Sequence, residues 1–169
     1  LGVHDERIEV LEAELGTVRT LAKLLRVREL RAERERQAGP GGLIHFIRYF
    51  WRVLEPEQDF VDGWALDAMC QHLEAVDRGE ITRLLITVPP GSMCSVFFPL
   101  WQWGPRDKPN RRYLNFAYAA HLTQRDNDRM LQVLRSPEWR ELWGPRKEKG
   151  PDGKLVEKGF SLTAEGKER

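Results

Sequence analysis

Four consecutive breakers, Gly39-Pro40-Gly41-Gly42, constrain this chain more than any other feature. Proline lacks an amide hydrogen and glycine costs the most backbone entropy to order, so no helix or strand runs through them. What lies on either side must fold as separate elements. Upstream, residues 4–37 read as one long charged helix. Ile8, Leu11, Leu15, Val18, Ala22 and Leu25 keep a 3-4 spacing and share one stripe. Acids lead (Asp5, Glu6, Glu9, Glu12, Glu14) and arginines follow (Arg26, Arg28, Arg31, Arg34, Arg36), the order that complements the helix dipole. The stripe fails at Glu29, short of a long coiled coil, so the helix is expected to pack on its own domain or fray in solvent, with a partner-binding coiled coil as the alternative. The expected organisation is a charged amphipathic helix over 1–38, a linker at 39–42 and a folded domain over 43–169.

Downstream, Leu43, Ile47, Phe50, Trp51 and Leu54 line one face of a short helix that stops before Pro56. A second helix is expected over about 62–78, with Leu66, Met69, Cys70, Leu73 and Val76 inward and Gly79 as its C-terminal cap. Residues 81–88, Ile-Thr-Arg-Leu-Leu-Ile-Thr-Val, read as a strand buried on both faces. A second strand is expected over 112–118, Arg-Tyr-Leu-Asn-Phe-Ala-Tyr, then a helix over 121–134. Residues 144–154 read as a basic turn or loop, and the tail after Phe160 offers at most one short strand. Helix, strand, loop, helix, strand, helix is the rhythm of a parallel α/β sheet, and that fold class is the expectation.

Composition removes several classes. The 169 residues carry 27 basic and 26 acidic side chains, a balance that excludes a polybasic nucleic-acid binder. The charges are unevenly spread: residues 1–105 hold 12 basic and 16 acidic residues, and 106–169 hold 15 and 10, so a polyanion would favour the C-terminal part. Two cysteines, Cys70 and Cys94, make neither a disulfide framework nor a zinc site. His4, His45, His72 and His121 show no i, i+4 pairing for a metal. The longest apolar runs are a few residues, too short to span a membrane. The N-terminus has no signal-peptide pattern and no initiator Met, as expected of a piece of something longer.

The turn after the first expected strand, Pro89-Pro90-Gly91-Ser92-Met93-Cys94-Ser95, has the outline of a phosphate cradle, in which loop and helix N-terminal amides point at an anion. A working P-loop ends in Lys-Ser or Lys-Thr, with lysine on the phosphates and the hydroxyl on Mg²⁺. Here Cys94 precedes Ser95, and no basic residue lies between Arg83 and Arg106. By spacing alone, an ordinary connection is the commoner meaning of such a turn.

A wider pattern surrounds it. It comprises Phe46-Ile-Arg-Tyr-Phe-Trp51, Phe60-Val-Asp-Gly-Trp64, Cys70-Gln-His-Leu-Glu74, and Gly79 through Gly91. It continues in Phe98-Pro-Leu-Trp101, Trp103-Gly-Pro105, Arg112-Tyr-Leu, Tyr118, Leu122, Arg125-Asp126 and Ser136-Pro137. In order and spacing this stretch, from Phe46 to about Trp143, resembles the N-terminal ATPase region of tailed-phage terminase large subunits, the DNA-packaging motors. The resemblance implies a P-loop-type parallel sheet behind a helical lead-in. It implies ATP held over Pro90, Gly91, Ser92, Met93, Cys94 and Ser95, with the Ser95 hydroxyl on Mg²⁺ and Arg125 at a phosphate or a neighbouring subunit. It implies double-stranded DNA, a small terminase subunit, the portal protein and sister large subunits as partners, in the cytoplasm of a bacterial host.

The chain departs from that family where chemistry is done. The P-loop lysine is missing, and Cys94-Ser95 runs directly into Val96-Phe97-Phe98-Pro99, as if a short deletion had removed the lysine and the first helical turn. Ala65 stands where this subfamily usually has a histidine. None of the acids after residue 95 ends an apolar strand-like run, so the Walker B carboxylate that would bind Mg²⁺ and orient water is absent, as is the nuclease domain. The expectation is roughly the first third of a phage or prophage terminase large subunit that does not hydrolyse ATP. The alternative is a non-catalytic interaction or scaffold module acting through its N-terminal helix.

Other residues have ordinary readings beside functional ones. Cys94 as a nucleophile in a phosphatase-like loop needs an arginine six residues on, where Leu100 stands. Cys70 reads as core. Arg125 and Arg129 read as a solvated helix face beside Asp126 and Asp128. Six tryptophans (Trp51, Trp64, Trp101, Trp103, Trp139, Trp143) read mostly as packing rather than a stacking platform. Arg106, Lys108, Arg111 and Arg112, and then Arg146, Lys147 and Lys149, read as solvated basic loops, with DNA backbone contact as the sharper alternative.

Overall fold

The structure is a computed structural model that describes residues 2–88, 93–149, 151 and 153–159. Six helices and a π-helical turn make up most of it: α1 Gly2–Ala38, α2 Gly42–Leu54, α3 Trp64–Arg78, the turn Met93–Phe97, α4 Phe98–Trp103, α5 Ala120–Arg135 and α6 Pro137–Leu142. Two short strands follow, β1 Arg146–Lys149 and β2 Leu155–Lys158. They pair antiparallel, with Arg146 opposite Lys158 and Lys149 opposite Leu155. The chain divides into two compact units, Leu1–Arg34 and Glu35–Arg169.

In the first unit, every residue from 14 to 29 of α1 is exposed. In the second, the breaker cluster has a specific job. Gly41 takes a left-handed conformation at φ 68°, which only glycine adopts without strain. A Cβ on Gly42 would overlap the Gln37 carbonyl. The chain thus reverses between α1 and α2 in a space that side chains would fill.

α2 is amphipathic as its spacing predicts, burying Leu43, Ile44, Phe46, Ile47, Phe50 and Leu54. Its face meets an aromatic cluster. Phe46 lies 4.7 Å from Phe50, ring centre to centre, and meets Phe97 and Trp139 edge-on at 6.4 and 6.3 Å. Val96, Leu100, Trp101, Val133 and Leu142 fill the rest. α3 ends as expected on Gly79, at φ 81°. There the amides of Gly79 and Glu80 donate to the carbonyls of Val76 and Ala75 at 3.1 and 2.9 Å, the paired bonds of a Schellman cap. Ser136 caps α6 by accepting from the Trp139 amide at 3.1 Å, with Pro137 in the first turn. α5 is tied to the end of α2 by Arg129 on Glu55 at 2.6 Å and by Gln132 donating to the Val53 carbonyl at 2.5 Å.

The expected parallel sheet is not there. Residues 82–88 and 112–118 are irregular rather than strands, and among the described residues no backbone hydrogen bond joins either to a neighbour. Several of their apolar side chains face solvent, with Leu85 91%, Phe116 85% and Tyr118 94% exposed. The described protein is a helical domain with one antiparallel hairpin, not a P-loop-type α/β sheet. Local sequence favours extended backbone in these segments, but a strand needs neighbours and a covering layer as well. The only helix between them, α4, has six residues and is about 9 Å long, against about 23 Å for a seven-residue strand. It is spent inside the helical core, where all six of its residues are buried, and covers neither segment. The hairpin replaces part of the loop expected over 144–154, and the strand considered after Phe160 falls outside the described residues.

Candidate functional site

Two places compete for the description of a site: the region of the expected phosphate cradle, and a buried polar cluster on α3.

At the first, Pro90, Gly91 and Ser92 lie outside the described residues. Met93, Cys94 and Ser95 form the start of the π-helical turn, whose later residues Val96 and Phe97 are buried. The turn runs straight into α4 with Pro99 in its first turn, so the helix after the cradle is short, as the missing residues predict. Ser95 is half-buried and Cys94 is exposed. Burial by its neighbours raises the Cys94 pKa, the reverse of an activated thiol. Arg106, one of the two basic residues nearest in sequence, is committed elsewhere (below). Arg125 pairs with the adjacent Asp126 at 2.9 Å. Arg129, expected beside Asp126 and Asp128, instead reaches Glu55. Among the described residues no three His, Cys, Asp or Glu side chains gather as a metal site. Among the described residues, the Ser95 hydroxyl, the Cys94 thiol of raised pKa and no lysine do not fit a magnesium–triphosphate group.

The second place is more fully built. Asp77, on α3, has a side chain with no exposed surface. It accepts from Gln102 Nε2 at 2.7 Å, Arg106 Nε at 2.8 Å and Lys108 Nζ at 2.5 Å. Burial alone would raise its pKa, but hydrogen bonds from Lys108, Arg106 and Gln102 outweigh that and hold it below the ordinary carboxylate value. Arg106 also donates to the Ala38 carbonyl at 2.7 Å and lies 5.5 Å over the Trp101 ring. One turn back, Glu74 accepts from the amides of Gly41 and Leu43 at 3.0 and 2.9 Å, capping α2 from a distance. Gln37 is fully buried at the end of α1. Its carbonyl accepts from the Trp101 indole at 2.8 Å, and its side-chain oxygen from the Trp143 indole at 3.0 Å.

This cluster has the chemistry of a clamp rather than of a catalyst. Its acids are engaged by fixed donors, and the cavity beside it, lined by Gly39, Pro40, Glu74 and Asp77 among others, measures about 220 Å³. Sequence reasoning missed Gln37, Glu74 and Asp77 as a unit. It read Arg106 and Lys108 as a solvated basic loop, whereas both are folded onto Asp77. The available signal was two acids three residues apart on the face of α3 that carries Cys70 and Leu73. Cys70 is core as expected, and burial, then the charge of Glu74, push its thiol up to about 12. Trp101, Trp103, Trp139 and Trp143 are buried, while Trp64 is exposed at the start of α3.

Arg111 and Arg112 remain exposed, beside an open cleft of about 510 Å³ that also touches Tyr113 and Asn127. The Tyr113 hydroxyl is buried with no partner among the described residues, and burial raises its pKa. No helix among the described residues is long and apolar enough to cross a membrane. Comparison with family models, with curated proteins and with solved structures returned no match.

Proposed function

We propose that this chain is an N-terminal portion of a phage or prophage terminase large subunit in which residues 46–143 act as a helical scaffold and do not hydrolyse ATP. One observation supports the reading. Part of the pattern that carries the resemblance also holds the scaffold together. Phe46, Phe50, Cys70, Leu73, Pro99 and Trp101 are buried, Glu74 caps α2, and Gly79 terminates α3. A Cβ on Gly104 would come within 2.8 Å of the Trp139 ring. The loop at 89–95, which would hold nucleotide in the family, has Cys94 in place of the lysine. In this reading ATP and Mg²⁺ are cofactors of the parent family. Double-stranded DNA, the small terminase subunit, the portal protein and sister large subunits are the partners, in the bacterial cytoplasm.

The test is calorimetry with Mg-ATP on the chain and on a variant with the lysine and the missing helical turn inserted before Ser95. Binding by the restored variant alone supports the reading. Tight binding by the chain as it stands refutes the claim of silence. No binding by either refutes descent from a nucleotide site.

A further inference from the structure

We infer that α1 is a self-association device, and that its exposed seam is covered by the same helix of a second copy running antiparallel. Residues 14–29 form sixteen consecutive exposed positions. Leu15, Val18, Leu21, Leu24 and Leu25 are each about half exposed or more, at 49 to 63%. A helical stretch exposed on every face is marginal in water, because most helical stability comes from burying an amphipathic face. Of these, Leu15, Val18 and Leu25 share one stripe with Ala22 and are placed for a helical neighbour, whereas Leu21 and Leu24 lie off it.

The charge pattern selects the occupant. Residues 2–16 carry five acids and one base, and residues 17–36 carry seven bases and three acids. A parallel copy would lay the acidic half against the acidic half. An antiparallel copy lays a net −4 segment against a net +4 segment, twice. The heptad register agrees. With the two-fold axis between Gly16 and Thr17, Leu15 falls opposite Val18, Leu11 opposite Ala22, and Ile8 opposite Leu25. One set of flanking heptad positions puts Glu12 across from Arg19 and Asp5 across from Arg26, each pair made twice, against a single like-charged pairing, Arg7 with Arg28, in the other set. The surface is self-complementary, as an isologous dimer requires. It is independent of the packaging reading, since neither nucleotide nor DNA enters it.

Sedimentation of the full chain over about a hundredfold range of concentration is the first experiment. A monomer–dimer equilibrium is expected. The double variant Leu15→Asp, Val18→Asp should weaken it at least about tenfold while leaving the tryptophan signal of the folded core intact. Glu12→Arg or Arg19→Glu should each weaken it about threefold or more, and the two together should restore it, since both pairs are rebuilt with reversed sign. Leu85→Lys with Phe116→Lys, in the exposed extended segments, should leave it unchanged. For orientation, Cys70 and Cys94 are first replaced by serine. A mixture of Ile8→Cys and Leu25→Cys chains should then cross-link, and neither should do so with itself. A monomer at every concentration, a dimer indifferent to Leu15→Asp, Val18→Asp, a dimer lost with Leu85→Lys and Phe116→Lys, or Ile8→Cys cross-linking to itself would each overturn the inference.

Discussion

Acids and bases do opposite work in the two units of this molecule. On α1, Arg26 and Glu29 approach to 3.5 Å with side chains 52 and 68% exposed. On α3, Asp77 meets Arg106 at 2.8 Å with no exposed surface of its own. The residue types are the same; the solvent around them is not. The exposed pair exchanges one set of water contacts for another and is screened by salt. The buried acid has lost its water and depends on three donors placed by other parts of the chain. Pairing on α1 decorates a helix, whereas pairing at Asp77 fastens the loop at 104–108 and the end of α1 to α3.

The most damaging way to break that contrast is Asp77→Ala. It leaves Arg106 and Lys108 without their acceptor and should cost about 3–5 kcal/mol, read from denaturant unfolding. A loss below 1 kcal/mol would show that water replaces the carboxylate freely. The same residue gives a pH dependence. Its folded pKa is depressed below the ordinary 3.8, so its contribution is complete above that value and is lost as pH falls through the lower folded value. The unfolding midpoint should therefore fall as the medium is acidified below about pH 4, and an Asp77→Asn variant should show a flatter curve over the same interval. Equal slopes would place the acid sensitivity elsewhere.

Glu74→Gln is the intermediate case. The amide keeps one acceptor oxygen for two amides, Gly41 and Leu43, and should cost about 1–3 kcal/mol. An unchanged midpoint would mean that the cap at the start of α2 does not contribute.

These residues also show what a sequence can disclose. The helices α2, α3 and α5 were legible because amphipathic spacing and a capping glycine are local signals. The buried tryptophans were legible in kind. The clamp was not, because Asp77 draws Gln102, Arg106 and Lys108 from 25 to 31 residues away, and no periodicity records which charged residue turns inward. The parallel sheet was expected from segments 81–88 and 112–118, whose residues favour extended backbone. Neither segment forms a strand, because pairing is non-local and α4, between them, is committed to the core. Of the expected nucleotide site, the shortness of the helix after the cradle was readable from Pro99. That Arg106 is drawn away to Asp77 was not.

The smallest effect is expected at Glu29→Ala. Glu29 is exposed and its partner Arg26 keeps its own access to water, so the pair should be worth well under 0.5 kcal/mol, about the level of exposed helical pairs. Alanine also favours the helix slightly, which offsets the loss. Glu29 is, in addition, the position where the apolar stripe of α1 stops, so alanine removes a charge from the end of the seam. Unfolding of the core should be unchanged within error, and self-association should be unchanged or slightly tighter in sedimentation. A drop in core stability approaching that of Asp77→Ala would mean that exposure does not separate the two kinds of pair. The contrast between the two units would then have to rest on something other than water.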